Sequence, residues 1–505
     1  MSCKSDNSPR RTAYRLPKGV RWSERKGSFQ LVLTFPLKAV LLHPSWSRVF
    51  RLLSKGKFVS LEQIAGLFKS QDQGKIELFL NDLSRKGFLE QEGFSKLSEY
   101  PYVSIIIPVR NRPKEIEACL NSLGKIIYPS EKLEIIVVDD ASSDDTPLRI
   151  SRFPVRLILL KQQRQASYCR NLAAKEARGI ILAFIDSDCV ADPLWLQELV
   201  PVFRDLSVGA VGGLVDSYSS KTPLERYEKV KSPLAVSPRA RRSSESDKSF
   251  YVPACNLLAR RKLFLELGGF KEDLNLGEDV DLSWRMQDSG HQVEFKPAGK
   301  VYHRHRNRLS SFCMRRFDYG TSEPLLQKLH PQRSKEMFFP TGAWLFWGSL
   351  AFALVFRFFP LLGVGVFIIL LDAMRKFLTV RRKRINIVYN ALIISTLRTY
   401  FAFFYHSCAF VSRYYLIWAL AFAPFLPRIS VTVFGAHIFT GLGEYMMKKP
   451  HLNLVSFLCY FSLDQLSYQL GVWWGCFNNS FFNSVSPRIT AKISDSGGKL
   501  QKTSR

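Results

Sequence analysis

The chain has 505 residues, which is too long for one ordinary hydrophobic core, so we expect two or three domains. Its 72 Lys and Arg residues against 43 Asp and Glu residues give a net charge of +29, which favours an acidic partner such as membrane lipid, nucleic acid or a phosphorylated substrate. The nine cysteines include no C-x-x-C pair, so neither a disulfide framework nor a zinc site is indicated, and reduced thiols are expected. The basic N-terminus lacks an apolar run, so no secretory signal is expected.

The first elements in chain order predict a small winged-helix module at residues 31–97, after a disordered basic segment at residues 1–30. Ser60 and Gln63 have the spacing of a capping box, which opens the first helix of this module. A second helix is expected to end at Gly87, and a strand follows it. Two helices and a strand in this order are typical of a winged helix, which binds DNA or a peptide, or packs on its neighbour.

From Tyr102 onward, β-branched runs alternate with helical patterns, which predicts a doubly wound α/β sheet. In such sheets ligands bind beyond the carboxyl ends of the strands. Three predicted strands end in polar or charged clusters, which are Arg110-Asn111, Asp139-Asp140 and Asp186-Ser187-Asp188. The chemistry of the chain is therefore expected at this edge of the sheet.

The acidic clusters each have two interpretations. Asp186 and Asp188 either lie in a solvated turn or hold Mg²⁺ or Mn²⁺, which prefer oxygen ligands and share them with a diphosphate. Asp139 and Asp140 either cap the helix that follows or contact a ligand. A later cluster, Glu278 to Asp281, opens a helix, where acids either complement the helix dipole or perform chemistry.

Five sequence blocks resemble, in order, those of the family-2 inverting glycosyltransferases with a GT-A fold. The blocks are VSIIIPVRNRPKEIEACLNSL, EIIVVDDASSDDT, RNLAAKEARGIILAFIDSDC, VPACNLLARRKLFLELGGFKEDLNLGEDVDLSWRMQDSG and VYHRHR. They cover about Tyr102 to Arg308, and the resemblance implies a GT-A domain at residues 98–335. The whole layout is similar to the mycofactocin-system glycosyltransferases, which join a winged helix similar to PqqD to a family-2 domain and a membrane-associated C-terminus.

The resemblance implies a role for each residue of the predicted site. The nucleotide-sugar would contact Pro108, Arg110, Asn111, Asp139, Asp140, Arg164, Arg170 and Asp186. Asp188 and His303 would bind the metal, Mg²⁺ or Mn²⁺, and Asn256 and Arg316 would face the acceptor. From the residues alone, His303 is equally an exposed histidine, and Arg164 and Arg170 are equally solvated cations.

The same resemblance makes Asp279 the general base and Glu278 the residue that orients it or the acceptor. A carboxylate must take the proton of the attacking sugar hydroxyl, and one displacement opposite UDP inverts the anomeric centre. The Gln-x-x-Arg-Trp motif of processive relatives is missing, and CMRRFDYGTS occupies its place. This departure puts extrusion of a long polymer in doubt and fits the transfer of one or a few sugars.

Residues 336–480 are predicted to form membrane-associated helices, followed by a disordered basic tail at residues 481–505. The apolar stretch from Thr341 to Leu371 is long enough to span a bilayer, which needs about 20 residues, but Pro360 could split it into interfacial pieces. A basic cluster at Arg375 to Arg384 is expected on the cytoplasmic side. A buried helical core in a soluble domain is the alternative.

Together these features predict a metal-dependent, inverting hexosyltransferase at the cell membrane with a cytoplasmic catalytic domain. The resemblance implies transfer of glucose from a UDP-sugar to a peptide-derived acceptor, (pre)mycofactocin, in cofactor biosynthesis, with no nucleic-acid partner. One alternative is a membrane-surface family-2 enzyme that acts on a lipid or cell-wall precursor. Another is a DNA-binding membrane protein without enzymatic activity.

Overall fold

The structure is a computed structural model that describes residues 12–490, except 26–27, 35–36, 69–71, 94–96, 98, 235, 237–238, 244–248, 275, 306, 334, 383–384 and 386. The chain divides into two compact units. Unit 1 comprises Met1–Ser95, Glu336–Ala409 and Arg488–Arg505, and unit 2 comprises Lys96–Lys335 and Phe410–Pro487.

The N-terminal part of unit 1 combines two small antiparallel sheets with three helices. Its elements are β1 (Ala13–Arg15), β2 (Val20–Arg25), β3 (Ser28–Thr34), β4 (Leu37–Leu42), α1 (Ser47–Leu53), β5 (Val59–Ser60), α2 (Leu61–Ala65), α3 (Gln73–Arg85) and β6 (Glu90–Glu92). The strand orders are β5-β1-β6 and β2-β3-β4. The predicted capping box is confirmed, because the Ser60 side chain accepts a hydrogen bond from the Gln63 amide and the Gln63 side chain accepts one from the Ser60 amide. The winged-helix assignment stays a prediction.

One predicted boundary needs correction. Residues 1–30 were expected to be disordered, but β1, β2 and the start of β3 lie among them. Tyr14, Phe29 and Leu31 are fully buried there, together with Phe50 and Leu80 of the helices. Alternate apolar residues of β3 point into this core, which explains why a basic segment is ordered. The tail predicted to be disordered at residues 481–505 is corrected in the same way, because Arg488–Thr490 forms a strand and Val485 is buried. Residues 1–11 and 491–505 lie outside the described residues.

Unit 2 is built on a mixed eight-stranded sheet. The strands and helices in chain order are β7 (Val103–Val109), α4 (Pro113–Leu123), β8 (Leu133–Asp139), α5 (Thr146–Ile150), β9 (Arg156–Leu159), α6 (Gln165–Glu176), β10 (Ile181–Ile185), β11 (Cys189–Ala191), α7 (Trp195–Leu199), β12 (Val208–Gly212), β13 (Val215–Ser217), α8 (Pro223–Lys231), β14 (Arg241–Arg242), β15 (Asn256–Arg260), α9 (Arg261–Glu266), α10 (Glu278–Asp288), β16 (Gln292–Phe295), β17 (Val301–His303) and α11 (Leu309–Leu329). The strand order is β14-β16-β12-β15-β10-β7-β8-β9. The predicted α/β domain is therefore confirmed.

The sheet is parallel where the sequence predicted it and mixed beyond, since β12 and β16 also pair in parallel. Strands β10, β7, β8 and β9 pair in parallel, whereas β15 pairs antiparallel to both β10 and β12. Residues of β7 alternate between two hydrophobic clusters, with Ile105 and Ile107 in one and Ile106 in the other. Since successive side chains of a strand point to opposite faces, β7 is covered on both faces and its polar ends are left at the sheet edge.

The C-terminal helices belong to both units. They are α12 (Thr341–Val355), α13 (Pro360–Arg382), α14 (Tyr389–Ala421), α15 (Pro427–Lys448) and α16 (Leu454–Asn479), and β18 (Glu336–Phe338) pairs in parallel with β19 (Arg488–Thr490). In unit 2, α16 packs closely on α11, because a Cβ atom on Gly471 would lie 2.0 Å from the carbonyl oxygen of Phe317. A Cβ atom on Gly320 would lie 2.1 Å from the carbonyl oxygen of Tyr468.

The long apolar stretch predicted as a possible membrane span is divided. Helix α12 ends at Val355 and α13 begins at Pro360, whose ring and missing N–H favour a helix start. Among the helices of the described residues, none combines the length and the apolar character that a membrane crossing requires.

Candidate active site

A cavity of about 1490 Å³ lies in unit 2, where the carboxyl ends of β7, β8 and β10 meet helices α10, α11 and α16. The predicted site residues all line this cavity, with the exceptions of Asp139, Arg164 and Asn256. The acidic clusters that the sequence placed at strand ends are thus brought together, as expected for an α/β sheet.

The two aspartates after β8 organise the loops at this edge. The Asp140 carboxylate accepts hydrogen bonds from the backbone amides of Arg164 (2.6 Å) and Gln165 (3.0 Å), at the start of α6. Asp139 instead accepts from the amide (3.0 Å) and hydroxyl (2.5 Å) of Ser142, so it caps a turn. The guanidinium of Arg164 lies 5.7 Å from the ring centre of Tyr168 and does not line the cavity. Of this group, Asp140 is the carboxylate that lines the cavity.

The end of β7 is tied to the same loop. The Asn111 side chain accepts a hydrogen bond from the Ser143 amide at 2.9 Å, and the Asn111 amide donates to the Ser142 hydroxyl at 2.9 Å. Asn111 has φ +49°, a left-handed conformation that asparagine tolerates better than most residues. Pro108 lies within β7 beside the cavity, and Arg110 is exposed at its rim. These contacts fix the shape of the edge before any ligand binds.

Asp188 and His303 lie together although 115 residues separate them in the sequence. Strand β11 pairs antiparallel with β17, with Cys189 opposite His303, and this register places Nε2 of His303 3.6 Å from Oδ1 of Asp188. Oδ1 of Asp188 and Nδ1 of His303 are buried and have no hydrogen-bond partner among the described residues. Burial would raise the pKa of Asp188, but His303 and Arg112 more than offset it, so the net pKa is lowered.

The donor atoms around Asp188 fit a divalent cation. One ligand atom each from Asp188, Cys189 and His303 lies within 4.8 Å of the others. Burial raises the pKa of the Cys189 thiol well above its ordinary value, and Cys255 raises it further, so the thiol stays protonated. Carboxylate oxygen and imidazole nitrogen are ligands for Mn²⁺, whereas a protonated thiol is not. Asp188 and His303 are therefore the residues that could hold a metal.

Arg170 connects the Asp186 strand end to the helix that carries the predicted base. Its Nη2 donates to Oδ1 of Asp186 at 2.5 Å, and its Nη1 donates to Oε1 of Glu278 at 3.1 Å. Arg170 is buried, and burial would lower its pKa, but Asp186 and Glu278 raise it above the ordinary value. Arg170 and Asp186, both predicted to bind the nucleotide, thus lie on the cavity wall as an internal ion pair.

The acidic residues of α10 have different environments. Burial and the neighbouring Glu278 raise the pKa of Asp279 to about 7, although its carboxylate accepts hydrogen bonds from the amides of Ala254 (3.1 Å) and Val280 (2.8 Å). Asp281 is fully buried and pairs with Arg285 and His330. Burial would raise the pKa of Asp281, but these two partners lower it. Asp279 is suited to exchange protons near neutral pH, whereas Asp281 supports the helix.

Two residues predicted to face the acceptor have other contacts. Asn256 is fully buried, donates to the carbonyl oxygens of Leu214 (3.0 Å) and Gly299 (2.9 Å), and accepts from the Trp195 indole (2.8 Å). Its amide is satisfied inside the protein and does not line the cavity, which corrects the prediction.

The second of these residues, Arg316, does line the cavity but is buried between two carboxylates. Its Nη2 donates to Glu228 at 2.7 Å, and its Nε lies 3.1 Å from Asp464. These ion pairs join α8, α11 and α16, so the charge of Arg316 is already matched.

Sequence reasoning missed several residues of the cavity. Arg112 forms an ion pair with Asp188. It directly precedes the proline that starts α4, so the sequence could have indicated that it lies at the edge of the sheet. Arg413, seen in the sequence only as a charge that interrupts an apolar stretch, lines the cavity with Tyr414 and Tyr468.

Part of the chain matches a known family model, and longer stretches are similar to named glycosyltransferases. Residues 104–268 match the family model of Glycosyl transferase family 2. The chain is 25% identical over 403 residues to the Pre-mycofactocin glycosyltransferase of Mycobacterium tuberculosis, covering 77% of this chain and 82% of that protein. It is 32% identical over 205 residues to Glycosyltransferase AglE of Haloferax volcanii, covering 39% of this chain and 65% of that protein.

Among solved structures, mannosyltransferase PcManGT from Pyrobaculum calidifontis, in complex with GDP-Man and Mn²⁺, aligns with a TM-score of 0.42 and 17% identity, covering 75% of this chain and 90% of that one. The sequence match, the mixed α/β sheet and the order of the acidic clusters agree with one another. Residues 104–268 therefore form a glycosyl transferase family 2 domain within this chain.

Proposed function

We propose that this chain is an inverting glycosyltransferase that moves a hexose from a UDP-sugar to a hydroxyl group of a peptide-derived acceptor. One observation carries the proposal. The Asp279 carboxylate, whose pKa is raised to about 7, lines the same cavity as Asp140 and the Asp188–His303 pair. A proton acceptor and the residues suited to a nucleotide-sugar thus face one space.

In the proposed reaction, Asp279 takes the proton of the acceptor hydroxyl as the hydroxyl oxygen attacks C1 of the donor sugar. The new C–O bond forms on the face opposite the departing UDP, and the bond from C1 to the diphosphate oxygen breaks. This single displacement inverts the anomeric centre through a transition state with oxocarbenium character. A base with a pKa near neutral pH is partly deprotonated at that pH and is still basic enough to take the proton.

The donor is proposed to lie along the edge formed by β7, β8 and β10. Asn111 and Asp140 would border the uridine, and Arg110 at the rim would face the diphosphate. Asp188 and His303 would hold Mg²⁺ or Mn²⁺. A divalent cation bound there offsets the negative charge that develops on the leaving UDP.

A peptide-derived acceptor, specifically (pre)mycofactocin, is supported by similarity along most of the chain. The match to the Pre-mycofactocin glycosyltransferase covers 77% of this chain, more than residues 104–268 alone. The N-terminal module, as a winged helix similar to PqqD, would present the acceptor. We propose glucose as the sugar on the same similarity.

The second candidate is a membrane-surface enzyme that acts on a lipid or cell-wall precursor. Large apolar side chains of α12 and α13 are exposed, and these are Trp344, Leu345, Phe352, Leu362, Val364, Val366, Phe367, Leu370, Leu371, Met374 and Leu378. Exposed apolar patches of this kind mark interaction or membrane surfaces. We propose that α12 and α13 contact the cytoplasmic membrane surface under either candidate function.

Two substitutions test the active site. In Asp279→Asn, transfer from UDP-glucose should fall by about two to four orders of magnitude with UDP affinity retained, because the proton acceptor is lost. In Asp188→Asn, turnover and metal-dependent UDP affinity should both fall. The exposed Asp273, six residues before the base, provides a matched control, and Asp273→Asn should behave like the wild type. Turnover that survives either active-site change would contradict the proposal.

Deletion of residues 1–97 separates the two acceptor classes. A peptide-presenting role predicts that transfer to the peptide-derived acceptor is lost while UDP-glucose hydrolysis continues. Undiminished transfer would favour the lipid or cell-wall acceptor instead. The shortened chain is compared with the full chain for UDP affinity, so that loss of folding is recognised.

A further inference from the structure

Three side chains with metal-binding atoms come together where β11 begins. They are Asp188, Cys189 and His303, and one ligand atom from each lies within 4.8 Å of the others. Among the residues that the structure describes, this is the one group of three or more His, Cys, Asp or Glu side chains that meets this distance. The sulfur atom of Cys189 has no part in the reaction proposed above.

Strand pairing places these side chains together. Cys189 is the first residue of β11 and lies directly opposite His303 of β17 in an antiparallel pair. Side chains of opposite residues project from the same face of a sheet, with Cβ atoms about 5 Å apart. Asp188 belongs to the turn before β11, and its carbonyl oxygen accepts a hydrogen bond from the Arg304 amide at 3.1 Å, which holds this turn against β17.

The strand that carries the histidine is held on both sides. The three-stranded sheet has the order β11-β17-β13, so β17 is its central strand. His303 lies opposite Cys189 on one side and opposite Ser217 of β13 on the other. Ligands that are carried by strands keep their positions more precisely than ligands on free loops.

The distances between the ligand atoms suit a tetrahedral ion. Nε2 of His303 lies 3.6 Å from Oδ1 of Asp188. Zinc bonds of about 2.0 to 2.3 Å at tetrahedral angles place neighbouring ligand atoms about 3.3 to 3.7 Å apart. Arg112 contacts Oδ2 of Asp188, so Oδ1, which has no hydrogen-bond partner among the described residues, is the oxygen that can bind.

The combination of oxygen, nitrogen and sulfur atoms differs from the set that a hard cation prefers. Mg²⁺ and Mn²⁺ favour oxygen ligands, whereas thiolate sulfur together with imidazole nitrogen favours Zn²⁺. A zinc ion displaces the proton of a thiol that it binds, and this proton passes to the solvent. The proton that prevents Cys189 from binding Mn²⁺ therefore does not prevent it from binding zinc.

The surroundings of Cys189 would protect a bond between sulfur and a metal. Its side chain is fully buried and belongs to a hydrophobic cluster that also contains Cys255. The thiol of Cys255 is a hydrogen-bonding neighbour of Cys189, so it can donate its S–H to a metal-bound sulfur. Partners of this kind orient metal ligands and stabilise their bound form.

We propose that Asp188, Cys189 and His303 form a Zn²⁺ site in which Cys189 supplies a sulfur ligand, and that this site binds Zn²⁺ more tightly than Mg²⁺ or Mn²⁺. Three protein ligands leave one of the four positions around zinc open. Asp188 and His303 line the cavity, so water or a phosphate oxygen can reach this position. The site shares two ligands with the proposed function but does not depend on glycosyl transfer.

Binding of Co²⁺ tests the sulfur ligand directly. Co²⁺ takes the place of Zn²⁺ in such sites, and a thiolate bound to it gives an intense charge-transfer band in the near ultraviolet. Full-length protein is freed of metal with a chelator, kept reduced with a phosphine and titrated with CoCl₂. We expect the band to reach its limit at about one equivalent of Co²⁺, to disappear when ZnCl₂ is added and to survive an excess of MgCl₂.

Substitutions identify the sulfur that binds. Cys189→Ser should lose the band and bind Zn²⁺ at least about tenfold less tightly, as measured by competition with a coloured chelator. Asp188→Asn and His303→Gln should also weaken Zn²⁺ binding. Cys255→Ser is the matched control and should keep the band, because it changes the buried neighbouring thiol, which is not a ligand. The exposed Cys459 of α16 provides a second control, and Cys459→Ser should behave like the wild type.

The melting temperature of each variant shows whether it is folded, and Cys189→Ala replaces Cys189→Ser if the latter does not fold. A wild type without the charge-transfer band overturns the inference whatever the variants do. A band that survives in Cys189→Ser, a band that is lost in Cys255→Ser, or equal affinity for Zn²⁺ and Mg²⁺ would also overturn it. Failure to consume any UDP-sugar, with the cobalt spectrum intact, would instead contradict the proposed function alone.

Discussion

The guanidinium of Arg112 forms an ion pair with Oδ2 of Asp188, while Oδ1 of the same carboxylate has no hydrogen-bond partner among the described residues. A protein cation therefore already contacts the carboxylate that is proposed to bind a metal. Since Arg112 and a divalent cation carry charge of the same sign, they compete for Asp188. This competition leads to the first prediction.

Removing Arg112 should strengthen metal binding in the absence of nucleotide. We expect Arg112→Gln to raise the affinity for Mn²⁺ about fivefold, which corresponds to about 1 kcal/mol for a partly exposed ion pair. Isothermal titration of the full chain with MnCl₂ measures this change. The exposed Arg178 lies outside the cavity, so Arg178→Gln is the control. An unchanged Mn²⁺ affinity in Arg112→Gln would show that the ion pair does not oppose the metal.

The rate of transfer should depend on pH through Asp279. The base acts when deprotonated, and its pKa is raised to about 7, so kcat/KM should fall as the pH drops through about 7 and reach a plateau above about 8. UDP release over a pH series measures the profile. A rate that stays constant from about pH 5.5 to about pH 8.5 would exclude Asp279 as the base.

Ionisation of Asp279 should lower the stability of the folded protein, although it raises the rate of transfer. Its folded-state pKa of about 7 lies above the ordinary value of 3.8, so ionised Asp279 destabilises the folded state, and stability is lost as the pH rises from about 4 to about 7. Asp279→Asn should therefore gain at least about 1 kcal/mol of unfolding free energy relative to the wild type between about pH 5 and about pH 8. Thermal melting at the two pH values checks this, and Asp273→Asn should show no such pH dependence.

Arg170 should act as a positioning residue, and its replacement should shift the pH dependence of kcat/KM. Its positive charge lowers the pKa of Asp279, and its guanidinium holds Glu278. We expect Arg170→Gln to shift the acidic limb of kcat/KM to higher pH and to lower the melting temperature, because Asp186 and Glu278 lose their common partner. Arg170→Lys should restore part of both. If the acidic limb of the kcat/KM profile does not shift in Arg170→Gln, Arg170 has only a structural role.

The glycine contacts between α11 and α16 should be essential for the wall of the cavity. Gly471→Ala would place a Cβ atom 2.0 Å from a backbone oxygen, so we expect a loss of about 1 to 3 kcal/mol of unfolding free energy. Gly435 also lies inside a helix but has open space around it, so Gly435→Ala should be neutral or stabilise by up to about 1 kcal/mol. Chemical denaturation compares the two. Equal changes in the unfolding free energy of the two variants would mean that α11 and α16 do not pack closely.

The strand ends of the candidate site were predictable because they depend on local pattern. The buried run of β7 and the carboxylates after β8 and β10 follow one another in the sequence, and parallel pairing brings their ends to one edge. The capping box at Ser60 was likewise predictable, since both partners lie within one turn. The raised pKa of Asp279 was not predictable, because it depends mainly on how deeply the folded chain buries this carboxyl group.

The sequence alone did not predict which groups the side chains of the site contact. Asn256 and Arg316 were assigned to the acceptor from motif position, but their hydrogen-bonding groups are engaged by Leu214, Gly299, Glu228 and Asp464. Whether such an amide or guanidinium binds a ligand or another group of the protein depends on the three-dimensional packing around it. The spacing of residues in the sequence does not show this.

The sequence by itself determined the α/β order of unit 2, the acidic strand ends and the family of residues 104–268, because hydrophobic periodicity and short motifs act over a few residues. Only the tertiary structure decided that His303 lies opposite Cys189 beside Asp188, that Arg112 and Arg170 pair with the site carboxylates, and that Arg413 faces the cavity. These contacts join residues far apart in the chain, and their energies arise only when folding removes the groups from water and fixes their partners.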